Sequence, residues 1–208
     1  MITLVIIGVI AAFTIPTLIN KYQKEQTVEK LKKSYSTLQQ AISRSIADYG
    51  IIDLTEIPVQ NGNAIYNKFF TKYLKPYLSI STDCGVNTTD ECAFVYTNIS
   101  GNGTYTHSTV SPRFYISDGT FVSLQKYGDY ISFYIDINGQ KKPNRLGRDV
   151  FRFDLWPEEL FLKPCSDGHT REQMLGAGSY TCNKYSSGHY CAAVIVLDGW
   201  QIKDDYPW

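Results

Sequence analysis

The chain has no net charge: 20 Lys and Arg are balanced by 20 Asp and Glu over 208 residues. Such a balance gives no long-range basic field, so nucleic acid is not an expected partner. None of the five cysteines forms a CxxC pair, which argues against the common zinc and thioredoxin-type sites. Their spacing instead suits disulfides made in an oxidising compartment. The three histidines, His107, His169 and His189, stand in separate polar stretches without the HExxH spacing that brings two ring nitrogens to one metal. There is no GxSxG elbow and no P-loop. Ser123 and Lys126 match SxxK, but on a predicted strand and without the companion motifs that make such a serine a nucleophile. Asp136, Asn138 and Asp149 offer oxygens to a hard cation, yet a hairpin turn accounts for Asp136 and Asn138 without one. The expectation is therefore no enzyme, no cofactor and no metal site.

A second shortage is local. Residues 1–19 contain no charged side chain. As a helix this run reaches about 28 Å, close to the hydrocarbon thickness of a bilayer. A secretory signal would have a basic start and a small-residue cleavage site, and both are missing. After Asn20 the pattern changes. Val28, Leu31, Tyr35, Leu38, Ile42, Ser45 and Tyr49 recur at steps of three and four, the signature of one helix face, with Lys, Glu, Gln and Ser between them. Gly50 is a natural stop. Residues 1–50 thus read as one helix, membrane-spanning over 1–19 and amphipathic over 20–50.

The run TLVIIGVIAAFTIP, with Gly8, the small pair Ala11 and Ala12, Pro16, and then Lys21-Tyr22, resembles the N-terminal helix of type IV pilins and type II secretion pseudopilins. The resemblance implies a structural filament subunit, a minor pilin or pseudopilin, held in the bacterial inner membrane with its head outside the cytoplasm. From there it would pass into a periplasmic or cell-surface filament. Its implied partners are other pilin or pseudopilin subunits, the inner-membrane assembly platform and the membrane itself. Gly8, Ala11 and Ala12 would let helices approach closely in the filament, and Pro16 would permit a bend. The family's basic leader, its cleavage-site Gly, the Phe after it and a Glu in the tract have no counterpart in residues 1–19. The expectation is that the reading frame continues upstream and that the short form inserts without being processed. The positive-inside rule would put Lys21 and Lys24 in the cytoplasm, whereas the resemblance puts them outside. A membrane-anchored ligand-binding or sensor domain is the second reading, and an anchored enzyme the third.

Residues 51–208 are of ordinary domain size and read as one α+β head. Over 64–77, Ile65, Phe69, Tyr73 and Tyr77 recur every fourth residue, predicting an amphipathic helix that ends near Pro76. Cys84 and Cys92 enclose GVNTTDE, a segment able to turn back, so they are expected to pair. Cys182 and Cys191 enclose NKYSSGHY and are the favoured second pair, with Cys165 free or bonded elsewhere. RFYISDGTFVSLQ reads as a hairpin about Asp118-Gly119. DYISFYIDI alternates Tyr130, Ser132, Tyr134 and Asp136 with Ile131, Phe133, Ile135 and Ile137, predicting a strand with one buried face. Asn138-Gly139 signals a further hairpin, VFRFDLW another strand, and AAVIVL a last one. Pro157-Glu158-Glu159 looks like a helix first turn. The expected architecture is a long helical spine packed on an antiparallel sheet. From the resemblance, the C-terminal disulfide loop is a second candidate for partner contact.

Overall fold

The computed structural model describes residues 2–50, 68–85, 92–106, 111–139, 141–156, 159 and 161–208, and the side chains of all these except 2–11 and 13. The loop expected over 51–63, the start of the helix expected over 64–77, and Pro157-Glu158 lie outside these residues. Helix α1 (Ile2–Tyr49) runs through Pro16 and stops at Gly50, which sits at φ +80° and donates its N–H to the Ile46 carbonyl. Positive φ at that point favours the residue without a Cβ.

The apolar stripe of α1 becomes its packed face. Val28, Leu31, Leu38, Ile42 and Ser45 are buried, while Tyr49 at the end of the predicted stripe is half exposed. Tyr49 instead meets Tyr73 edge-on at 5.8 Å, with the Lys72 ammonium over its ring. Beside α1, a π-helical turn (Phe70–Leu74) and a 3-10 turn (Lys75–Tyr77) place Phe70, Tyr73 and Leu74 in the core.

Six strands form one antiparallel sheet: β1 (Ile80–Gly85), β4 (Arg113–Ile116), β5 (Phe121–Tyr127), β6 (Tyr130–Asp136), β7 (Val150–Leu155) and β8 (Lys163–Pro164), in that order across the sheet. β2 (Val95–Thr97) and β3 (Thr104–Thr106) make a separate antiparallel pair. The hairpin about Asp118-Gly119 joins β4 to β5, with Gly119 at φ +88°. Gly128-Asp129 joins β5 to β6 as a two-residue turn, since Tyr127 faces Tyr130. The Asn138-Gly139 signal marks a turn but not a tight hairpin. β6 and β7 are linked by a longer loop, because Asp136 pairs with Val150.

The sheet is covered on both sides. Leu31, Leu38 and Ile42 of α1 share a core with Phe114, Leu124, Phe133, Phe153 and their neighbours. Phe94 and Tyr96 lie with Phe121, Tyr134 and Val150 on the opposite face. The prediction of one wet face on β6 is therefore corrected: from Ile131 to Asp136 every residue is buried. The cover comes from residues distant in sequence, which a local alternation cannot reveal.

The predicted strand AAVIVL is also corrected. After α2 (Arg171–Leu175), which opens with a Thr170/Gln173 capping box, the chain forms α3 (Cys191–Leu197). Cys191 through Ile195 are all buried. A short run that is apolar all round carries no period to separate helix from strand.

Candidate functional site

α1 changes character along its length. Ala12 and residues 14–20 are exposed, with Ile15, Leu18 and Ile19 among the largest exposed apolar side chains. From Val28 onward the inner face is locked to the head. Ser34 and Thr120 hydroxyls share a buried hydrogen bond of 2.9 Å, Gln39 accepts from the Leu162 N–H at 2.8 Å, and the Tyr35 ring lies between Phe153 and Trp200 at 5.2 and 5.4 Å. Where α1 leaves the head, a hollow of about 650 Å³ opens between Thr17, Lys21, Lys24 and Val28 on the helix and Trp200 and Ile202 on the tail. Gly8, Ala11 and Pro16 all belong to α1, but the Gly8 and Ala11 positions fall where no side chains are described. Among the described residues, no helix is long and apolar enough to cross a membrane.

The C-terminal loop is closed by a Cys182–Cys191 disulfide, and Cys84 bonds Cys92. Cys165 is buried and free; burial, with Asp154 alongside, pushes its thiol well above the ordinary range. The 182–191 loop has two sides. Tyr185 is 82% exposed, the most open of the large hydrophobic side chains among the described residues. Ser187, Gly188 and His189 turn inward, and a Cβ on Gly188 would stand 3.0 Å from Ile99. His189 hydrogen-bonds Ser187 at 2.6 Å and meets the rings of Tyr105, Tyr134 and Tyr180 edge-on. Burial first, and the Arg152 charge second, depress its pKa to about 4. It is neutral at physiological pH, and its Nδ1 is taken up by the Ser187 hydroxyl.

Sequence reasoning passed over the most polar place in the interior. Arg152 on β7 donates to Asp154 (Nε–Oδ1 2.9 Å), to the Ser132 hydroxyl at 3.1 Å and to the Tyr130 hydroxyl at 3.0 Å. Ser132 also donates to Asp154 at 2.6 Å. Tyr127, Tyr130 and Tyr134 surround the guanidinium. A signal did exist: Arg152 and Asp154 stand two apart, hence on one face, in an otherwise apolar strand. The arrangement holds a paired charge with most of its donors used.

Ser123 and Lys126 are three apart on β5 and so lie on opposite faces, where they cannot act together. Asp136, Asn138 and Asp149 are brought together as a loop clip: Asp136 accepts from the Asn138 N–H, and Asp149 accepts from the Asn138 amide and from the Asn144 and Arg145 backbone N–H groups. Burial raises the Asp149 pKa against those hydrogen bonds. No group of three His, Cys, Asp or Glu among the described residues is placed to hold a metal.

The model of a family of unknown function (DUF6613) matches residues 17–208, and the chain belongs to that family. Neither a curated protein nor a solved structure matches the chain.

Proposed function

We propose that the protein is a structural subunit of a thin helical filament, a minor pilin or pseudopilin of a type IV pilus or type II secretion-like system. It waits in the bacterial inner membrane with its head outside the cytoplasm, and the assembly platform draws it into the filament. The observation that carries this reading is the division of α1: the stretch 14–20 exposes Ile15, Leu18 and Ile19, while Val28, Leu31, Leu38 and Ile42 on the same helix are buried against the sheet.

Exposed aliphatic side chains in a row, continuous with the uncharged run before them, need lipid or other helices around them. A bilayer and the core of a helical filament both supply that surrounding, so transfer between them need not expose the helix to water. Gly8, Ala11 and Ala12 would form the close-packing face, and Pro16 the point where the helix can bend. The two disulfides fit an oxidising location. The hollow between Lys21, Lys24 and Trp200 lies where the head would meet a bilayer or a neighbouring helix.

The test is to shear cells that make the full chain and to collect filaments by high-speed sedimentation. The protein should appear in the pellet on thin filaments that antibodies to the head decorate. Its confinement to the detergent-soluble membrane fraction, with none on filaments, would contradict the reading.

A further inference from the structure

Three hollows run in series along one flank of α1. The first, about 230 Å³, is lined by Gln23, Gln26, Arg148 and Trp208 among others. It shares Lys30, Ile137 and Asn138 with the second, about 290 Å³. The second shares Lys33 and Asp118 with the third, about 260 Å³, which reaches Arg44. On the helix the lining positions 23, 26, 30, 33, 37, 40 and 44 alternate in steps of three and four. They form a polar stripe beside the buried apolar one. From 23 to 44 the groove is about 32 Å long, the span of roughly ten residues of extended chain.

Its charge is one-sided. Lys30, Lys33, Arg44, Lys141 and Arg148 line it against two carboxylates. Both carboxylates are engaged within the chain: Asp118 by Lys33 at 3.2 Å and the Thr120 N–H, and Asp149 by the loop clip. Among the described residues, Lys30, Arg44 and Lys141 have no salt-bridge partner. Asn138, which lines two of the three hollows, has an Oδ1 atom shielded from solvent with no donor to it.

We propose that this groove binds an extended acidic polypeptide segment of a partner protein, its carboxylates on Lys30, Lys141 and Arg44. A single nucleic acid strand would need open aromatic faces, whereas the Trp208 ring is already covered by the Arg148 guanidinium at 4.1 Å. The inference goes beyond the filament reading and does not depend on it.

Fluorescence anisotropy on the full chain in non-ionic detergent micelles tests it, with a labelled ten-residue peptide of alternating Glu and Ala as the probe. The peptide should bind, and added salt should weaken it. The K30E/K141E variant should lose at least tenfold in affinity. K32E/K184E, with the same change in net charge away from the groove, should lose less than twofold. Four results would each overturn the proposal: no peptide binding, equal losses in both charge variants, a dT12 oligonucleotide bound as tightly as the peptide, or self-association of the chain that K30E/K141E abolishes. The last would assign the groove to a second copy.

Discussion

At the scale of single residues, His189 links burial to a measurable property. Unfolded, it titrates near 6.5; folded, burial and Arg152 hold it near 4. Between those values the unfolded chain takes up a proton that the folded chain refuses, so stability rises with pH across the window. The contribution is complete above about 6.5 and disappears as pH falls towards 4, on the order of 3 kcal/mol. Urea unfolding at pH 7.5 and 4.5 should show a smaller loss for His189→Gln than for the parent; identical losses would show that His189 is not the titrating group. Nothing in NKYSSGHY says that this histidine is buried. Its cover comes from Tyr105, Tyr134 and Tyr180, three tyrosines that only the tertiary fold brings together. The Arg152–Asp154 pair was passed over too, although two charges on one face of an apolar strand have to be answered somewhere.

At the scale of elements, the outcome follows the strength of the local pattern. The 3.6-residue stripe of α1 and the Asp118-Gly119 hairpin were legible because each carries several agreeing signals over a short stretch. AAVIVL was not: it has no period, and the helix α3 that it forms starts at the disulfide-bonded Cys191 and is followed by Gly199 at φ +72°. The full burial of β6 was hidden for another reason, since the chain that covers its outer face lies around Phe94 and Tyr96. The contact between α1 and the sheet is the element-level claim with the plainest energetic consequence. Leu38 is fully buried in the shared core, so Leu38→Ala should cost about 2–5 kcal/mol, and the exposed Lys32→Ala well under 1. Denaturant unfolding of the two variants checks this; equal, small effects would mean that α1 is not integral to the head.

At the scale of the whole molecule, the α+β architecture was readable, and so was the packing of the second half of α1 on an antiparallel sheet. The first half speaks to function through its composition. An uncharged run that ends in exposed Ile15, Leu18 and Ile19 needs an apolar environment. The proposal that this environment is a bilayer and then a filament rests on the resemblance of TLVIIGVIAAFTIP to pilin helices, not on any active-site geometry. The central claim is that copies of α1 pack against one another. A single cysteine placed at Ala12, which is exposed on α1, measures this directly in cells carrying the native assembly machinery. Bismaleimide cross-linking of envelopes should yield a dimer band, the largest product that one accessible thiol per chain can form, and a cysteine at exposed Lys32 should serve as the comparison. A monomer band alone from the Ala12 position, in cells where the protein is abundant in the membrane, would contradict the account.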